Sequence, residues 1–381
     1  MDCKPSFLCL WERHLAASNG TLWYGNRGKM PLPRENHKLN LFEYTYPELV
    51  TELDRRYGKG AFHAAGIYRG LYQEMNLNLA GIPAITASRN FAWQVSRDLV
   101  ADSGQVVLEK EQDGVLKFVT RLDDGLEIES VILTMERHQT VCVSSQAGCR
   151  MGCRFCETGK SGLARNLEVA EIVGQVYAAR MRFGPDLRNV VFMGMGEPFD
   201  NYDKVFKAID VINDQRGLDI ALRRITVSTA GLAEGIRRFA AAGPPLIKLA
   251  ISLNAPNDRL RSELMPINRS LPLDKLKTLL RAYPLKKKDY FLFAYVQIPG
   301  VNDLPEHAVQ LAHYIEQLPS KVNLIPFNPG PNSSYRAPSE EESERFRDLL
   351  IARKVNIQQR VTRGRDLMAA CGQLGSTAYP Q

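Results

Sequence analysis

Apolar positions along the chain fall into three regimes. Residues 104–135 alternate between apolar and polar. Gln105–Glu109, Val115–Thr120 and Leu126–Leu133 are strand-like runs, with Asp113-Gly114 and Asp124-Gly125 between them. Asp-Gly between alternating runs is a strong hairpin signal, so the pattern predicts a small antiparallel meander. From about residue 140, β-rich apolar runs take turns with amphipathic helical stretches. The predicted strands are Thr140–Ser144, Asn189–Met193, Arg224–Thr229, Ile247–Leu253, Phe291–Gln297 and Val322–Phe327. Helix-like segments include Leu167–Phe183, Tyr202–Asn213 and Glu306–Gln317, and the helix Glu340–Arg353 leads to a seventh strand, Val355–Val361. Repeated strand–helix units imply a parallel sheet with helices outside. Six to seven units predict an α/β fold with a partial (βα)6 barrel rather than a closed eight-stranded one. Chemistry is then expected at the C-terminal ends of the strands. The first hundred residues read as mainly helical, with scattered Pro and Gly and no assignable chemistry. The expected division is 1–100, a small N-terminal helical domain; 101–136, the β-meander extension; 137–350, the barrel; and 351–381, a C-terminal strand and loop.

Composition narrows the class without naming a function. Of the 381 residues, 44% are hydrophobic and 24% charged, which argues against disorder or a fibrous chain. No apolar run reaches the roughly 18–20 residues of a membrane span. Phe7–Trp11 is apolar but is ended by Glu12 and Arg13, too soon for a secretory segment, so a cytoplasmic protein with no membrane association is expected. The formal net charge of +7 makes polyanions plausible partners and specifies none. Seven cysteines, an odd number at uneven spacing, suit metal ligands or catalytic thiols better than a disulfide framework.

Three of those cysteines form a motif. Cys149-Arg-Met-Gly-Cys153-Arg-Phe-Cys156 is C-x3-C-x2-C, on the loop after the first barrel strand. Three thiolates on one tight loop suit an iron–sulfur cluster. A 4Fe–4S cluster normally takes four cysteines, so three leave one iron open to another ligand. The alternative is structural zinc held by three cysteines and His138, in a non-catalytic RNA-binding protein. Zinc sites usually show paired knuckles, and only one is present.

The motif at the top of the first strand of a partial barrel resembles the radical S-adenosylmethionine (SAM) superfamily. Further segments sharpen the likeness: Thr140 to Cys149, Gly194-Met-Gly-Glu-Pro198, Ser228-Thr-Ala-Gly231, Ala250-Ile-Ser-Leu-Asn254, Glu263 to Asn268, Asn323 to Asn328 and Ala369 to Leu374. Together they resemble the RlmN/Cfr family of RNA adenine C-methyltransferases, from about Glu129 to Leu374.

The resemblance implies specific roles. Cys149, Cys153 and Cys156 would hold the cluster, and SAM would chelate the open iron. Gly196, Glu197, Ser228, Ser252, Leu253, Asn254 and Asn328 would contact SAM. Apart from the likeness, the glycines of Gly194-Met-Gly-Glu-Pro198 would let backbone approach a ligand closely, and Glu197 could accept a hydrogen bond from an ammonium or ribose group. Cys371 would carry a methyl group from one SAM, a second SAM would start the radical step, Glu129 would accept a proton, and Cys142 would resolve the covalent intermediate. The implied substrate is adenine C2 or C8 in rRNA or tRNA, with a flavodoxin-type electron donor, and a monomer is expected. RNA phosphates would be held by the N-terminal unit, by Arg360, Arg363 and Arg365, and by the run Lys286–Lys288. Two positions depart from the RlmN pattern. Asn254 stands where histidine is usual, and Glu157 where a small residue is common; Glu157 adds a negative charge beside the cluster. They suggest a divergent paralogue and leave the choice of carbon open. A radical SAM enzyme acting on a non-RNA substrate would explain the cluster and barrel, but not Cys142, Cys371 and the basic tail together. Cys3 and Cys9 have no assigned role.

Overall fold

The computed structural model describes residues 38–242, 246–331, 333–360 and 363–375; Cys3 and Cys9 lie outside them. Its centre is a ten-stranded sheet. The antiparallel part is β3 (Gln105–Gln112), β4 (Val115–Arg121) and β5 (Glu127–Thr134), and β5 pairs antiparallel with β6 (Gln139–Cys142). Six parallel strands follow β6 in chain order: β9 (Leu187–Phe192), β10 (Ile225–Thr229), β11 (Lys248–Ser252), β12 (Phe291–Gln297), β13 (Ser320–Pro326) and β14 (Ile357–Gln359). The predicted meander is therefore the antiparallel flank of the barrel sheet. Two short pairs stand apart: β1 (Leu39–Asn40) with β2 (Leu99–Val100), and β7 (Gln146–Gly148) with β8 (Leu163–Asn166).

The N-terminal unit holds α1 (Tyr46–Tyr57), α2 (Ala61–Tyr72), α3 (Pro83–Thr86) and α4 (Arg89–Asp98). The cluster loop carries the short α5 (Glu157–Lys160). Outside the parallel strands lie α6 (Val169–Phe183), α7 (Tyr202–Asn213), α8 (Ala233–Ala241), α9 (Asp258–Leu264), α10 (Leu273–Arg281), α11 (Pro305–Ile315) and α12 (Glu340–Ile351). The N-terminal helices share the barrel's core. Phe42 packs 5.0 Å from Tyr177 of α6, and Glu43 Oε1 accepts from the Ala170 N–H at 2.8 Å, capping that helix.

Strand alternation decides what faces the site. In β12, Phe291, Phe293, Tyr295 and Gln297 are buried under the helices, while Leu292, Ala294 and Val296 are half-buried. Ala294 and Val296 belong to the set that lines the barrel's pocket, as do Ser228 of β10 and Ser252 of β11. The segment 363–375 then bridges the two sides of the sheet. Lys117 Nζ of β4 donates to Met368 O at 2.8 Å, and Arg363 Nη1 donates to Thr134 O of β5 at 2.8 Å. On the other side, Arg365 Nε donates to Asn328 Oδ1 at 3.2 Å and Gln373 Nε2 to Pro329 O at 3.0 Å.

Candidate active site

The cysteine motif sits on a loop held at its base by β7 and β8. The Cys149 N–H donates to Gly162 O at 2.7 Å. Gly148 has φ +84°, and a Cβ there would fall 2.0 Å from Gly162 O, so the hairpin needs glycine at that point. Farther along, the Arg154 N–H donates to Leu264 O at 3.0 Å, pinning the loop to α9. Cys149, Cys153 and Cys156 line one pocket at the C-terminal ends of the strands, together with Gly196, Glu197, Ser228, Ser252, Asn254 and Cys371. Its walls are otherwise mostly apolar, with Met151, Phe155, Phe192, Met265 and Val296. That burial pushes the Cys149 thiol up to about 12 and the Cys153 and Cys156 thiols upward as well.

Such a donor set fits an iron–sulfur cluster. Buried thiols beside an apolar wall stay protonated until cations displace their protons. Among the described residues no three His, Cys, Asp or Glu side chains converge as ligands of a single ion must. His138 lies before β6, at the far end of that strand from the cysteines, and its carbonyl accepts from the Met135 N–H. His138, the fourth ligand of the zinc alternative, is thus not among the residues that line the pocket with the three cysteines.

Gly194-Met-Gly-Glu-Pro198 follows β9 and packs back on the cluster hairpin. A Cβ at Gly194 would lie 2.7 Å from Val143 O, and one at Gly196, where φ is +100°, 2.6 Å from the Gln146 side chain. The glycines thus answer to close approach of protein backbone and side chain, where the sequence had suggested ligand approach alone. Gln146 is fully buried and ties this turn to the hairpin. Its Oε1 accepts from the Glu197 N–H at 2.8 Å, and its Nε2 donates to Asn166 Oδ1 at 2.7 Å and Asp200 Oδ2 at 2.8 Å. Glu197 accepts from the Ala230 N–H at 2.7 Å and the Phe199 N–H at 3.2 Å. Burial nevertheless pushes its carboxyl up to about 7, against these hydrogen bonds.

Ser228 Oγ and Ser252 Oγ face each other at 3.5 Å across β10 and β11. Asn254 takes a left-handed backbone, φ 57°, which asparagine tolerates better than most residues. Its Oδ1 accepts from the Val296 N–H at 2.9 Å and its Nδ2 meets Met265 Sδ at 3.2 Å. Leu253 and Asn328 are not among the residues lining the pocket. Leu253 is buried with its carbonyl on Arg261, and Asn328 holds Arg365.

Cys371 lies on the pocket wall, exposed, on the bridging segment. The Glu157 N–H donates to Gly372 O at 2.8 Å and Thr158 Oγ1 to Leu374 O at 2.6 Å, fastening that segment to the cluster loop. Cys142, half-buried at the end of β6, has its thiol pushed up to about 12, first by burial and then by Cys371 nearby. Glu129 of β5 is buried and pairs with Lys117 Nζ at 2.9 Å, while its Oε2 also accepts from the Gly375 N–H at 2.9 Å. Glu157, expected to add charge beside the cluster, is paired with Lys160 at 2.6 Å.

Two residues escaped the sequence reading. Arg261 of α9 is fully buried; it donates to Leu253 O, Ala230 O, Ser252 O and Asn268 Oδ1 at 2.7–3.1 Å, stapling the ends of β10 and β11. Lys117 sits mid-strand in a run that reads as plain alternation. Nothing local marks either: Lys117 meets Met368 from across the chain, and Arg261 is held mainly by backbone carbonyls, which leave no side-chain pattern.

The Radical SAM superfamily model matches residues 143–313. A probable dual-specificity RNA methyltransferase RlmN 1 of Protochlamydia amoebophila is 39% identical, covering 89% of this chain and 94% of that protein. The dual-specificity RNA methyltransferase RlmN of Syntrophus aciditrophicus is 43% identical, covering 91% and 99%. The chain belongs to the RlmN family of radical SAM methyltransferases. A solved radical SAM methyltransferase from Sphaerobacter thermophilus superposes with a TM-score of 0.82 at 38% identity, over 88% of this chain and 99% of that one. The partial barrel with its meander and N-terminal helices is thus the RlmN-type radical SAM fold, and the superfamily's cofactors are a 4Fe–4S cluster and SAM. No helix among the described residues is long and apolar enough to cross a membrane.

Proposed function

We propose that this protein methylates an adenine carbon, C2 or C8, in rRNA or tRNA, using two SAM per turnover and a methyl group carried on Cys371. The observation that carries the reading is Cys371 on the wall of the same pocket as Cys149, Cys153 and Cys156, with Cys142 close by. The three motif cysteines hold the cluster. Gly196, Glu197, Ser228, Ser252 and Asn254 surround the space left for SAM, whereas Leu253 and Asn328, expected as SAM contacts, do not line it. Bound there, the cluster and SAM supply one-electron chemistry, which reaches an adenine carbon too electron-poor to attack the SAM methyl directly.

The chain's own residues do the rest. Cys371 takes the methyl by displacement and presents it to the base. Glu129 accepts a proton from the enzyme–RNA adduct, for which its present contacts with Lys117 and Gly375 have to loosen. Cys142 holds its proton at Sγ while buried. It then attacks the Cys371 sulfur, releasing methylated RNA and leaving a disulfide that an external thiol resets. The target base is extruded from its stack to enter the pocket. We assign 1–100 to RNA binding, 101–136 to the meander extension, 137–350 to the barrel and 351–381 to the methyl-carrying segment. The protein works as a cytoplasmic monomer with a flavodoxin-type electron donor.

The test is anaerobic cluster reconstitution followed by incubation with methyl-labelled SAM, reductant and bulk RNA. Nucleosides are then read by mass spectrometry beside a Cys371→Ala control. A C-methyladenosine absent from the control is expected. SAM cleavage with no methylated nucleoside in any RNA fraction would sink the proposal.

A further inference from the structure

The parallel strands β6 and β9 to β14 start side by side, at the end of the sheet opposite the pocket. That end carries more exposed cations than exposed carboxylates, which include Glu136, Asp186 and Asp289. Arg137 precedes β6, Arg188 lies at the start of β9, Arg223 precedes β10, Lys248 opens β11, Lys286–Lys288 precede β12 and Lys354 precedes β14. All are exposed. Elsewhere the chain pairs its surface cations freely, as in Arg150–Asp200, Arg165–Glu171 and Arg336–Glu342. At this end, none of those named forms an ion pair with a described carboxylate. A second observation coincides. Of the eight large hydrophobic side chains most exposed among the described residues, four lie here: Met135 (44%), Leu246 (55%), Tyr290 (47%) and Ile351 (54%). Each sits within three residues of one of these cations: Met135 by Arg137, Leu246 by Lys248, Tyr290 by Lys288 and Ile351 by Lys354.

We propose that this face is a second RNA-binding surface, remote from the pocket, which grips the phosphates of a structured substrate and stacks a base on Tyr290. The inference rests on RNA being the substrate. Unpaired cations with an exposed aromatic are what backbone binding and base stacking require. An acidic electron-donor protein fits poorly. The seven residues of β12 span roughly 23 Å, which puts this face too far from the cysteines for direct electron delivery. Lys286–Lys288 therefore act away from the catalytic mouth, not beside it.

The experiment uses the full chain with Lys286→Glu, Lys287→Glu and Lys288→Glu combined, beside the triple Lys→Arg variant and Tyr290→Ala. The probes are full-length structured RNA and a short stem–loop cut from it around the same adenine. RNA-free SAM cleavage reports an intact barrel. The reversal is expected to weaken full-length RNA binding at least tenfold and to flatten the log K against log salt slope by about two. Tyr290→Ala should weaken it severalfold, the Arg variant should bind as wild type, and the stem–loop should be unaffected by all three. Unchanged full-length affinity and salt slope in the reversal overturn the proposal. Equal losses on the stem–loop overturn it too, since the effect would then come through the pocket. Methyl transfer by the unsubstituted chain reports separately on the catalytic reading: its absence sinks that reading alone, while an unchanged salt slope in the reversal sinks only this face.

Discussion

Arg261 places a full charge where water does not reach, and the hydrogen bonds around it explain why it stays. It donates to three carbonyls and one amide oxygen that face the ends of β10 and β11. Burial lowers the pKa of the guanidinium, yet each of its three nitrogens has an acceptor, which is the condition for burying charge. Arg261→Met would fill much of the volume but leave those acceptors without donors. We expect a loss of about 3 kcal/mol or more, read from urea unfolding, and weaker SAM binding because Ser252 and Leu253 lose their anchor. Gly196 is constrained by space instead. Gly196→Ala forces a Cβ into Gln146 at a left-handed backbone. The variant should fold yet bind SAM at least tenfold more weakly, as measured by equilibrium dialysis. Unchanged SAM affinity would show that this turn yields more easily than its packing implies.

Among the elements, the cluster hairpin and α12 show two ways of fixing a segment. The hairpin is too short to stand alone, since β7 and β8 have three and four residues. It is held instead by Gln146 and by the loop contacts to α9. Helix α12 is set locally. Ser339 Oγ accepts from the Glu342 N–H at 3.1 Å, and Glu342 accepts from the Ser339 N–H at 2.8 Å and from Arg336. Arg336 first, and then this capping, holds the Glu342 carboxyl down at about 2. A lowered pKa stabilises the folded state above the ordinary carboxylate range and loses that effect as pH falls through it toward 2. Ser339→Ala should cost about 1 kcal/mol at neutral pH. Glu342→Gln should lower stability at neutral and alkaline pH and flatten the acid limb, so that variant and wild type converge as pH falls toward about 2. A thermal melt series across pH checks both.

The whole molecule is completed by the segment 363–375, which ties the meander, the cluster loop and the loop after β13 to one another. Lys117 is the joint, because its ammonium contacts both Met368 O and the Glu129 carboxylate. Burial lowers its pKa and Glu129 opposes that shift. Lys117→Met takes one counter-charge from Glu129 and frees the segment at its middle. Breaking a buried pair from one side costs about 3–5 kcal/mol. The expected outcome is RNA methylation reduced at least tenfold, with RNA-free SAM cleavage kept within twofold, because the cluster cysteines are untouched. Loss of both activities together would place Lys117 in the barrel's stability instead.

The strands of the meander and barrel, several helices and the cysteine motif were legible because their signals are local. Alternation, Asp-Gly turns and a tight thiol spacing need only a few neighbouring residues. Phe291–Gln297 and Tyr202–Asn213 appear in the structure with the expected bounds, and most other ends shift by one to three residues. The chain order also decided the strand order, since each parallel strand lies beside the next one made. What needed the tertiary structure depends on residues far apart. Lys117 and Glu129 meet the segment around Met368 and Gly375 only after the sheet has brought both sides together. Arg261 finds its carbonyls only when β10 and β11 lie in register. Lys286–Lys288 were a charge run without an address until strand direction put them opposite the pocket. Periodicity specifies which face of an element is buried; it does not specify what that face meets.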